Sequence, residues 1–124
     1  MDKQLVVTDI KVFVPAKDFK LSLSFYQELG WKTIGLFDGL AELELGGIRF
    51  FLQDYYKKGW ANNFMFYINV ENVQAWYVHA SEVLEKGDYG VAKVNEPKKQ
   101  PHGDMVSHVW DPSGVLLHFA QQMA

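Results

Sequence analysis

Apolar and polar positions along the chain run through the same change of period twice. Residues 9–14 alternate as a half-buried strand does, and Pro15-Ala16-Lys17 is expected to end that strand. From Asp18, whose carboxylate can cap the free amides of a helix start, the period lengthens. Leu21, Phe25, Tyr26 and Leu29 recur at helical spacing, and Gly30 stands where a helix turns left-handed to stop. Three short β-type runs follow at 31–37, 40–45 and 48–52. They are separated by Asp38-Gly39 and Gly46-Gly47, both hairpin signals.

After the polar connector Lys57-Lys58-Gly59 the order begins again. Residues 64–70 read as a strand with aromatics on both faces, and Glu71-Asn72 opens a second helix. Its apolar stripe is Val73, Trp76, Tyr77, Ala80, Val83 and Leu84, with Trp76 expected to pack helix to sheet, and Gly87 ends it. A weaker strand at 91–94 precedes a two-proline loop at 95–103. The chain then closes on a hairpin, 105–110 and 115–119, joined by Asp111-Pro112-Ser113-Gly114. In that turn proline presets φ, the aspartate can bond forward to the backbone, and glycine supplies a positive φ. The two helix starts, Asp18 and Asn72, lie 54 residues apart. The pattern predicts one α+β domain, residues 1–124, of two β-α-β-β-β modules at about 5–55 and 62–122.

Composition narrows the function classes. The 124 residues, 48% hydrophobic and 22% charged, suffice for one globular core. No apolar run is long enough to cross a membrane, and the first residues do not resemble a signal peptide. Zero cysteines exclude thiolate chemistry and fit a cytoplasmic setting. A net charge of −3, with only the short pairs Lys57-Lys58 and Lys98-Lys99, argues against nucleic acid as a partner. No nucleophile elbow or phosphate loop is present.

Candidate chemistry centres on the last hairpin. Alternation puts Val115, Leu117 and Phe119 on a core face and Leu116, His118 and Ala120 on the other. His118 is thus expected to face a cleft and touch ligand, with His108 on the adjacent strand beside it. His79 is expected at the surface, and Glu42 and Glu44 as solvated edge charges. Nineteen aromatics (four Trp, six Tyr, nine Phe) exceed what so small a core requires. Trp31, Phe37, Phe51, Trp60, Tyr67 and Trp110 are candidates for a stacking surface, Trp60 and Trp110 foremost among them.

Three motifs carry a resemblance. They are Asp111-Pro112-Ser113-Gly114 with His118 four residues on, the segment Ser24-Phe25-Tyr26-Gln27-Glu28-Leu29-Gly30-Trp31, and Gln100-Pro101-His102-Gly103. Together they resemble the vicinal oxygen chelate superfamily (glyoxalase, bleomycin resistance protein, extradiol dioxygenase), nearest the bleomycin-resistance branch. The resemblance implies paired modules around a cleft, homodimers, and in the metalloenzymes one divalent ion held by four strands. By motif those ligand positions fall here on Lys11, Phe51 (or, two residues on, Gln53), Met65 and His118. A lysine, a phenylalanine and a soft thioether do not make a site for magnesium, manganese or iron(II). No metal and no cofactor are therefore expected. The reading is a metal-independent small-molecule-binding protein, with ligand contacts from Phe51, Trp60, His102, His108, Trp110 and His118. One alternative is a glyoxalase-like enzyme with a non-standard metal site built on His108, His118 and a glutamate. Another is a ligand-free interaction module.

Overall fold

The structure is a computed structural model that describes residues 5–123. In chain order its elements are β1 (Phe13–Pro15), α1 (Phe19–Leu29), β2 (Lys32–Phe37), β3 (Leu40–Leu45) and β4 (Ile48–Gln53). They continue with α2 (Lys58–Asn63), β5 (Met65–Asn69), α3 (Val73–Lys86), β6 (Lys93–Val94), β7 (Lys98–Lys99), β8 (Met105–Trp110) and β9 (Leu116–Gln121). One sheet runs β1-β4-β3-β2. The other runs β5-β9-β8-β6, with β7 beside β8. In each, the first strand pairs in parallel with the last and the others are antiparallel. The repeat expected from element order is therefore a repeat of topology.

The helix boundaries follow from local chemistry. Asp18 Oδ1 accepts from the Leu21 amide at 3.1 Å, and Asn72 Oδ1 from the Ala75 amide at 3.0 Å. Gly30 takes φ 122°, and its N–H reaches back to the carbonyls of Tyr26 and Gln27.

Four elements differ from the sequence expectation. β1 spans only Phe13–Pro15, because residues 5–10 are exposed and the first ladder bond runs from Phe51 N–H to the Val12 carbonyl. Pro15 lies inside that strand, where an edge position spares it a missing donor. The polar connector coils into α2, and the 91–94 strand shrinks to Lys93–Val94 while the proline loop carries β7.

The core forms where α1 and α3 cover the sheets. Phe25, Tyr26 and Leu29 of α1 are buried with Val14, Leu43, Phe50 and Leu52 of the first sheet. On the second sheet Trp76 stacks on Phe119 with centroids 4.8 Å apart and planes at 13°, as its helix-to-sheet role requires. Phe50 meets Phe66 at 5.3 Å and joins the two sheets. His79 is half-buried rather than on the surface. Its Nε2 bonds the Leu29 carbonyl at 3.0 Å, so it ties α3 to the carbonyl end of α1.

The closing turn is fastened to the first module by buried polar groups. Asp111 is fully buried. Its Oδ2 accepts from the Tyr26 hydroxyl at 2.7 Å, and its Oδ1 from the amides of Ser113 and Val115 at 2.7 and 3.0 Å. Ser113 Oγ accepts from the Lys17 amide at 2.9 Å and lies 3.2 Å from Ser22 Oγ. Gly114, at φ 93°, lets the chain return into β9.

Asp111→Ala strands three buried donors at once, and urea denaturation should show a loss of about 2–5 kcal/mol. Burial pushes Asp111 up to about 6, outweighing the hydrogen bonds that pull it down. The folded chain thus holds this proton more tightly than the unfolded chain does. That contribution is complete below the unfolded carboxylate value and is lost as pH rises through 6. Relative to Asp111→Asn, the wild type should lose stability between pH 4 and 7, by about 3 kcal/mol at most. Paired melts across that range test the sign.

Candidate functional site

The face of the second sheet turned away from α3 holds most of the residues that the sequence singled out. Register places Tyr67, His118 and His108 in one cross-strand row. Met65, Leu116, Trp110 and Lys93 form the next. Residues directly opposite on adjacent strands share a face, as do residues two apart along one strand. The core-facing set is Leu117, Phe119 and Val109, all fully buried. Ala120, expected on the open face with His118, is buried too, opposite the buried Val106.

At the centre of that face the imidazoles of His108 and His118 lie 4.9 Å apart, edge to face at 67°. Tyr67 flanks His118 at 5.6 Å, and Trp110 flanks His108 at 6.0 Å. Lys93 Nζ stands 4.4 Å from the centre of the Trp110 ring. Burial lowers the pKa of His108. Burial, and then the neighbouring His108, lower that of His118. Both rings are therefore neutral at pH 7. Among the described residues neither has a hydrogen-bonding partner, unlike His79 and His102. Each presents one donor and one acceptor nitrogen to whatever lies on the sheet.

His102 reaches the same face from the proline loop. The Tyr67 hydroxyl donates to Asp104 Oδ2 at 2.6 Å, and its oxygen lies 2.8 Å from His102 Nε2. A hydroxyl has one proton, so with that proton given to Asp104 the oxygen accepts from the His102 Nε2–H. The hydrogen bond to Asp104 is the chief reason the Tyr67 pKa is raised. Tyr67 thereby straps residues 102–104 against β5. Asp104 and Lys93 were not singled out from the sequence. Alternation alone does not signal a loop carboxylate or a two-residue strand.

Phe51 and Trp60 lie elsewhere. Phe51 is on the first sheet, its ring 5.0 Å from Phe13 and 5.3 Å from Lys11 Nζ. Trp60, on α2, packs against Tyr55 at 5.8 Å and Phe64 at 6.3 Å. Two of the other aromatic candidates separate as well. Trp31 is buried between Tyr26 and Phe50 as a core residue, and Phe37 is exposed on the edge strand β2. Glu42 is not an edge charge: β3 is interior to its sheet, and Glu42 pairs with Lys11 at 2.9 Å. Among the described residues no three histidine or acidic side chains converge as a metal site, and no helix is long and apolar enough to cross a membrane.

Comparison with known proteins agrees with the fold. Residues 9–119 match the model of the Glyoxalase/Bleomycin resistance protein/Dioxygenase superfamily, and the chain belongs to that superfamily. No curated protein matches. Among solved structures, the chain is similar to a bleomycin resistance determinant encoded on the transposon Tn5. The TM-score is 0.78 at 21% identity, covering 94% of this chain and all of the other. It is also similar to the bleomycin-binding protein of bleomycin-producing Streptomyces verticillus complexed with copper(II)-bleomycin (TM-score 0.77, 21% identity, 95% and 100% covered). A lactoylglutathione lyase from Agrobacterium tumefaciens follows at TM-score 0.65 and 15% identity, with 94% and 95% covered. At these identities the likeness establishes the shared fold.

Tyr67→Phe removes the strap while leaving the ring beside His118. Amide hydrogen exchange at residues 101–104 should accelerate, with exchange in β8 and β9 unchanged.

Proposed function

We propose that this chain is a metal-independent binding protein that captures a planar, hydrogen-bonding small molecule on the Tyr67–His118–His108–Trp110 face. The observation that carries the reading is the cross-strand pair His108 and His118. Two neutral imidazoles, without hydrogen-bonding partners among the described residues, stand between two aromatic rings. Such a surface stacks a flat ligand and meets its donors and acceptors at the same time. Lys93 and His102 supply polar contacts at opposite ends. Phe51 contributes stacking surface from the other sheet and Trp60 from the connector, and for that a second copy of the chain has to bring the first-sheet face opposite the histidine face. A homodimer with shared walls is thus part of the proposal, as is a cytoplasmic setting, to which the absence of cysteine is suited.

Metal independence rests on what occupies the corresponding face of the first sheet. Where the superfamily resemblance puts its first metal ligand, Lys11 holds its own ammonium between Glu42 and the Phe51 ring. A cation is already built in, and a divalent ion there would face its charge. The glyoxalase-like alternative needs a glutamate beside the histidine pair. Glu42 is instead committed to Lys11, on the other sheet.

Glycopeptide antibiotics, bleomycin included, are the first ligands to screen, because bleomycin-binding proteins are among the structural neighbours. With a ligand in hand, His118→Ala and Trp110→Ala should each weaken binding by about tenfold or more, as central residues of a binding surface do. Calorimetric titration with and without chelator should give the same affinity. A dependence on added zinc, nickel, manganese or iron(II) would reverse the metal-independent reading. Because both imidazoles sit below the ordinary histidine value, they gain charge only on acidification. Affinity for a cationic ligand should then fall below pH 6 and hold steady from 7 to 8.

A further inference from the structure

A cavity of about 500 Å³ opens between the two sheets, away from the histidine pair. Of the residues on the ligand face described above, Tyr67 alone borders it. Its walls are Trp31 just before β2, Phe50 of β4, Phe66 and Ile68 of β5, and Trp76 of α3. Its volume falls in the range of small-molecule sites, about 300–1,000 Å³.

The walls are held from behind. Trp31 meets Phe50 edge to face at 4.8 Å, Phe50 meets Phe66 at 5.3 Å, and Trp76 is stacked on Phe119. Rings fixed in this way cannot fold inward to close the space, and apolar walls give water few partners there. Trp31 also carries a buried indole N–H with no acceptor among the described residues, so the protein leaves the hydrogen bonding of this wall incomplete.

One charged side chain among the described residues borders the cavity, that of Arg49. Its side chain is 42% exposed, and its guanidinium touches Asp9 at 3.4 Å, an aspartate it shares with Lys11 at 3.8 Å. One long contact to a shared carboxylate leaves most of the five guanidinium N–H groups uncommitted among the described residues. A fixed aromatic cavity with a single cation at its rim is complementary to one chemistry.

We infer that this cavity binds an amphipathic monocarboxylate, its apolar body against Trp31, Phe66 and Trp76 and its carboxylate on Arg49. The ligand class is medium-chain or aryl carboxylic acids. The site is separate from the histidine face and stands whether or not that face binds anything.

Octanoate and its uncharged analogue octanamide, titrated by calorimetry and tryptophan fluorescence, test this directly. Octanoate should bind saturably at one per chain, and octanamide about tenfold more weakly, the difference a charge-assisted hydrogen bond makes. Arg49→Gln should abolish that preference. Val12→Trp places bulk at the partly exposed rim without entering the core, and should block both compounds while the melting temperature holds. His118→Ala should change nothing here, although it weakens binding on the other face. Absence of saturable binding, equal affinity for acid and amide, or binding lost with His118→Ala but kept with Val12→Trp would each overturn the assignment. Octanoate binding that appears only on dilution into monomer would do so as well, since a second copy of the chain would then be the occupant.

Discussion

The structure hangs on one buried carboxylate. Asp111 closes the turn of the last hairpin from within by accepting the amides of Ser113 and Val115, and with its other oxygen accepts the Tyr26 hydroxyl from the first helix. A single side chain thus sets the geometry of β8 and β9 and fixes the second module against the first. Ser113, Ser22 and the Lys17 amide extend the same contact toward the start of α1. A charge so deeply buried is expensive unless its lone pairs are filled, and here every neighbour is a donor. The group nonetheless remains easier to protonate than a solvated aspartate, because desolvation outweighs the hydrogen bonds.

That arrangement explains how a repeated fold with little sequence repetition stays in register. The modules share their strand order, yet their contacts are unequal. Apolar rings meet at Phe50 and Phe66, and polar groups meet at Tyr26 and Asp111. The apolar contact supplies burial without direction, while the polar one works only at one separation and angle. His79 adds a second directional link, from α3 to the last carbonyl of α1.

Much of this was legible in the sequence, for physical reasons that differ by residue. Asp18, Gly30 and Asn72 act through local backbone geometry, so their roles could be read without a fold. The alternation of 115–119 marked Val115, Leu117 and Phe119 as core because a strand's period is set by its own pleat. The role of Asp111 was half visible: its turn chemistry is local, but its bond to Tyr26 joins residues 85 positions apart. Trp31 and Glu42 were misjudged for a related reason. Whether a strand residue is core, interior or rim depends on which strands flank it, and that is decided by topology. The same holds for His79, which looked solvated on its helix and is claimed by a carbonyl from another.

The direct opposition of His108 and His118 has a consequence for how the last hairpin forms. A strand that slipped by one residue would turn Leu117 outward and carry His118 into the core, so the imidazole pair exists only in the native pairing. Any compound that grips both rings binds that pairing and no other, and by mass action it draws the chain out of mispaired states. Such a compound would serve as a template for the hairpin, raising the yield of folded chains in its presence.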